Sequence, residues 1–244
     1  MKRPLWIALL AAVVFVAILI VNLPAGWVIP TGRGQAFCTS VDGSLWSGTC
    51  TGLAVRGTPV GDVSWQLRPL RLAAGKLAAH VTVRQSAANA VADVEVGLRR
   101  RVTARNVVAD TPLDPRLIPG VPPTLHGHAH AELALVQIQN RIITELKGRV
   151  EVHDLVELTG QSTPLGSYVV NFPGGAGDPI GRIRDLDGPL SLEGTLHLTR
   201  QPGFELEGLV APRPGAPPEL ANNMRFLGSP DASGRWQFSL AGTF

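Results

Sequence analysis

The chain has 244 residues, with 22 Lys and Arg against 19 Asp and Glu, for a formal net charge of +3. Lys2 and Arg3 precede a long apolar run, and setting them aside leaves 20 basic against 19 acidic residues. The rest of the chain is therefore close to neutral and lacks the basic excess on which a nucleic-acid binder depends, so no nucleic-acid partner is expected.

The apolar run, Leu5 to Leu23, holds 19 residues and no charge. As a helix it would extend about 28 Å, close to one bilayer core. Residues 1–4 read as a cytoplasmic tip, held inside by Lys2 and Arg3. Residues 5–23 read as one transmembrane helix, since an isolated span in lipid must satisfy its own backbone. Trp6 and Trp27 lie near its two ends, and Pro24 and Pro30 stop it on the far side. The competing reading is a cleaved signal peptide, but the run is long for one and Leu23 is a poor residue at the −3 cleavage position. One anchor followed by turn-punctuated β-sequence excludes most soluble enzymes.

Residues 24–32 read as a linker and 33–244 as an extracytoplasmic β-domain. Cys38 and Cys50 stand twelve positions apart, and in an oxidising compartment they are expected to pair as a disulfide. Asp42-Gly43 between them is a hairpin turn signal. A strict two-residue turn there would set Cys38 opposite Ser47, so the bridge needs a bulge or a looser turn. In Val41-Asp42-Gly43-Ser44-Leu45-Trp46-Ser47-Gly48, Trp46 reads either as packed on the sheet or as a membrane-proximal contact. Trp65 is the second interaction candidate. It lies in an alternating strand where Val63, Trp65 and Leu67 are separated by Ser64 and Gln66.

The same period of two continues with Val94, Val96 and Leu98. It is cleanest in Leu190 to Thr199, where even positions are apolar or Gly and odd positions polar, and it returns at Trp236, Phe238 and Leu240. Such strands bury one face and wet the other, as in antiparallel sheets. A leucine, one residue, then glycine recurs at 125–127, 192–194, 206–208 and 240–242, and glycine there permits a bulge or bend. The expected fold is thus mainly β: a curved, largely antiparallel sheet, either an open groove or a flattened barrel, with one or two short helices. Thr111 to Thr124 is proline-rich and reads as a joint between two halves. The best helix outside the apolar run is Pro217 to Gly228, started by proline and ended by glycine, with Leu220, Met224 and Leu227 on one face.

Motifs for chemistry are weak. His126, His128 and His130 alternate, with Glu132 in phase, and read chiefly as the polar face of a half-exposed strand, since their spacing matches no recognised ligand set. Gly174-Gly175-Ala176-Gly177 lacks the Gly-Lys-Ser/Thr ending of a phosphate loop. No serine sits in a Gly-x-Ser-x-Gly elbow, and the carboxylates are scattered. No catalytic residue, metal or cofactor is expected.

Three pieces together resemble the general secretion pathway protein N family, protein N of the type II secretion system. The first is the anchor ending in Leu23-Pro24-Ala25, followed by Val41 through Gly48. The second runs from Leu53 through Gly61-Asp62-Val63-Ser64-Trp65-Gln66-Leu67-Arg68-Pro69-Leu70 to Gly75-Lys76-Leu77. The third runs from Gly188-Pro189-Leu190 through Pro212-Arg213-Pro214-Gly215-Ala216-Pro217-Pro218 and Phe226-Leu227-Gly228-Ser229-Pro230-Asp231 to the end. The resemblance implies a single-pass protein of the inner membrane of a Gram-negative bacterium, with a periplasmic β-domain. It also implies an accessory, non-catalytic role in exporting folded proteins, with the inner-membrane secretion platform and the secretin as partners alongside the lipid bilayer. The strand repeats are also similar to those of AsmA-like envelope proteins. The alternative function is therefore carriage of lipid or another hydrophobic ligand, in a concave face lined by Leu190, Leu192, Leu196 and Leu198.

Overall fold

A computed structural model describes residues 22–27, 36–55, 57–97, 101–115, 118, 121–140, 142–159, 161–175, 177–200 and 203–243. The expected membrane span, 5–23, lies outside these residues except for its last two positions. No helix among the described residues is long and apolar enough to cross a membrane. The chain divides into two units, 1–86 and 87–244.

In the first unit β1 (Ala36–Phe37) and β2 (Ser40–Gly43) both pair with β3 (Ser47–Val55), which pairs with β4 (Thr58–Leu67), which pairs with β5 (Leu77–Arg84), all antiparallel. The β2–β3 turn is not at Asp42-Gly43. Gly43 pairs with Gly48, and the corner is Leu45-Trp46, closed by Ser44 N–H donating to the Ser47 carbonyl at 2.9 Å and Ser47 N–H donating to Ser44 Oγ at 3.2 Å. Two serines that bond across the corner outcompete the Asp-Gly signal. Cys38 and Cys50 are joined by a disulfide with Cα atoms 5.6 Å apart, and both are buried. The ladder would set Cys50 opposite Val41. The chain bends at Thr39, between β1 and β2, which lets Cys38 reach Cys50.

The second unit is a run of hairpins: β6 (Asn89–Val96), β7 (Arg101–Pro112), β8 (Leu125–Gln139), β9 (Ile142–Thr159), β10 (Gln161–Pro173), β11 (Ile180–Asp187), β12 (Leu190–Thr199), β13 (Gly203–Pro212) and β14 (Trp236–Thr243). Each pairs antiparallel with the next, and within this unit β14 pairs only with β13, so the sheet is open. The proline-rich stretch 111–124 forms the end of β7 and the connection into β8, two strands paired from Arg101↔Gln139 to Pro112↔His128. Asn106 and Asp154 adopt φ of 50° and 52° where the register shifts. Asn and Asp are the non-glycine residues that tolerate this region best.

The leucine-x-glycine repeat does not mark a bulge at each occurrence. Leu125-His126-Gly127 lies at a register shift, but Gly194, Gly208 and Gly242 sit in unbroken ladders. Gly194 faces Gly208 across the β12–β13 ladder, and a Cβ at Gly208 would collide with the Glu193 carbonyl and meet the Phe238 ring at 3.0 Å. A Cβ at Gly242 would meet the Phe204 ring at 2.6 Å. These glycines admit close strand approach and an aromatic ring across the ladder.

α1 (Pro218–Asn223) continues as a 3-10 turn, Met224–Leu227, ended by Gly228 at φ 106°. Leu220 and Met224 are buried, but the tighter final turn breaks the helical phase and leaves Leu227 45% exposed. Tyr168, Val169 and Phe172 of β10, Leu146 of β9 and Val210 of β13 complete the small core of this unit.

Gly208→Val should lower stability by about 1–3 kcal/mol, the range for overpacking, with the loss read from the urea midpoint of the full chain. Replacing Cys38 and Cys50 together by Ala should cost about 3 kcal/mol in the same assay, the chain-entropy value for a loop of this size.

Candidate functional site

The corner of the first unit gathers both tryptophans. Trp65 lies over Gly48, where a Cβ would come within 2.5 Å of the ring, and its Nε1–H donates to the Leu45 carbonyl at 3.0 Å. The Trp46 carbonyl accepts Leu67 N–H at 2.6 Å, and both indoles are half-buried. Leu45 N–H donates to the Leu23 carbonyl at 2.9 Å, and Pro24 bridges Ser44. The corner is therefore fastened to the last residue of the apolar run and to the proline that follows it. Arg68 N–H bonds the Ala78 carbonyl at 2.8 Å, so the connection from β4 to β5 emerges at this same end.

In the second unit, alternation divides the side chains of each strand between two faces. Register aligns Asp110, His130, Glu151, Val169, Arg184 and Glu193 across six strands. His130 Nδ1 meets Asp110 Oδ1 at 2.6 Å and Nε2 meets Glu132 Oε1 at 3.4 Å. The hydrogen bond to Asp110, then that to Glu132, favours imidazolium and raises the pKa above 6.5. Glu151 takes an ion pair from Arg149 and a 2.8 Å contact from His153 Nε2. His128 stands opposite His153. Among the described residues no three His, Cys, Asp or Glu side chains converge as a metal site.

Further along this face a cavity of about 1130 Å³ is lined by Arg182, Arg184, Glu193, His197, Glu207 and Gln237, among others. Leu190, Leu192, Leu196 and Leu198 alternate with Glu193 and His197 and so lie on the opposite face. The groove on these strands mixes charged side chains with Ile183 and Leu209 and does not include the four leucines.

Asp185, its side chain only 8% exposed, holds Arg213 in an ion pair and accepts Leu192 N–H at 2.7 Å. This clamps the Pro-rich tail that leads into α1. Tyr168 donates to the Leu165 carbonyl at 2.7 Å, and burial pushes its pKa up to about 12. In the loop after β10, Asp178 pairs with Arg200 at 2.9 Å. Phe226 is 90% exposed at the end of the 3-10 turn, and Trp236 Nε1–H ties Gly228 to the edge strand β14 at 3.2 Å.

The family described as type II secretion system (T2SS), protein N, matches residues 35–239. The chain belongs to that family. It is also similar to "Type II secretion system protein N" of Aeromonas hydrophila, 25% identical over 265 aligned positions that cover 99% of each chain. No solved structure matches it.

In an NMR titration the His130 midpoint should lie above 6.5 and fall toward it in Asp110→Asn. The sign follows from linkage. A raised folded-state pKa gives stability that is complete below 6.5 and lost as the pH climbs through the raised value.

Proposed function

We propose that the chain is an accessory inner-membrane component of the type II secretion pathway that supports export of folded proteins by contact, not by catalysis. In this reading the apolar run 5–23 crosses the inner membrane once, with the N-terminus cytoplasmic and both β units periplasmic. Its partners are the inner-membrane platform and the secretin. The observation that carries the reading is the family match over residues 35–239, nearly the whole chain beyond the apolar run. The outer edge of β14 gives the contact a physical form. A strand paired on one side only presents unsatisfied N–H and C=O groups at strand spacing, which another chain can extend. Phe226 beside it adds exposed apolar surface.

Deletion of the gene should lower secretion of folded exoproteins. Photo-crosslinkers at Gln237 and Ser239 of β14 should capture secretion-system proteins in intact cells, whereas labels on the second unit's β9 strand, such as at Lys147, should not. Unchanged secretion in the deletion strain would count against the reading, as would recovery of phospholipid alone from the β14 positions.

A further inference from the structure

The connection from β4 to β5 has a composition that the secretion role does not explain. It reads Arg68-Pro69-Leu70-Arg71-Leu72-Ala73-Ala74-Gly75-Lys76-Leu77, with three cations and no acid in ten residues. A 3-10 turn, Pro69–Ala74, shapes it, and Lys76 N–H closes it onto the Arg71 carbonyl at 3.2 Å. Leu70, between Arg68 and Arg71, is 90% exposed, and Leu77, next to Lys76, is 44% exposed.

Position gives this surface its meaning. The connection leaves β4 directly after Leu67, whose N–H is held by the Trp46 carbonyl, and Leu45 in turn binds Leu23, the last residue of the apolar run. Trp27, four residues on, is 82% exposed. Trp27, the Leu45-Trp46 corner and the basic connection therefore share one end of the first unit, the end at which the apolar run arrives. Indole rings, exposed leucines and basic side chains suit the boundary between headgroups and acyl chains.

We infer that this end of the first unit docks on a bilayer surface containing anionic phospholipid, with Leu70 entering the acyl boundary and Arg68, Arg71 and Lys76 facing the headgroup phosphates. Charge selects lipid over an apolar protein groove: three cations match a negative surface, and a protein partner would have to supply its own acidic patch at membrane height. The inference uses the anchor of the proposed function only to bring this end to the bilayer. It adds that the first unit lies against the membrane.

The test uses the full chain reconstituted into nanodiscs of phosphatidylcholine alone or with phosphatidylglycerol. An environment-sensitive fluorophore is placed on Leu70→Cys, and on Thr49→Cys as a control. Incorporation into the discs reports the anchor separately from docking. Docking predicts a blue shift at position 70 and quenching by nitroxide-labelled lipid in the anionic discs, with position 49 unchanged. Arg71→Gln and Lys76→Gln should each reduce the docked fraction about fivefold relative to free, and high salt should do the same. A water-like emission at position 70 in both discs would overturn the inference. So would a shift indifferent to lipid charge and salt, or protection that appears only when other secretion proteins are added.

Discussion

Main-chain pairing between strands adjacent in sequence is the interaction on which the rest of this molecule depends. In the second unit, nine strands follow one another in a single meander, so each ladder is built by a hairpin. A thick core is not available to do this work. Among the described residues Val169 is the one large side chain that is essentially removed from solvent. Cohesion therefore lies in ladder hydrogen bonds and in cross-strand pairs, each individually modest and collectively sufficient. That explains why side chains are spent on fastening strands: Asp185 to Arg213 and Leu192, Asp62 to Gly52 N–H, and Phe238 against Gly208.

The same constraint sets what the surface can offer. Alternation gives β12 two unlike faces. One face of β10 to β14 carries Arg182, Arg184, Glu193 and Glu207 around a groove, while the leucines of β12 stand on the other.

Alternation made much of this fold legible in the amino-acid sequence. The strand over Leu190 to Thr199 has the bounds that its pattern predicts, because all its even positions are apolar or glycine. The helix begins at Pro218 near its predicted start but ends at Asn223, and a 3-10 turn, Met224–Leu227, carries the chain to Gly228 and rotates Leu227 outward. What stayed hidden depended on pairing between segments. Asp110 and His130 meet through the register of β7 on β8, which no local pattern encodes. The corner at Leu45-Trp46 was masked by Asp42-Gly43 because the side-chain bond between Ser44 and Ser47 is a weaker signal than a dipeptide rule. Which face of a curled sheet is concave is likewise a global property, so the leucine row could be read but not its side.

The hairpin order has a consequence for how the chain is delivered. Every strand from β7 onward finds its partner in the segment made just before it. Contacts of low sequence separation form early and at small loop-closure cost. A polypeptide emerging in chain order therefore zips its sheet together strand by strand, with only the newest edge bare at any instant and β14 arriving last as the edge that stays bare.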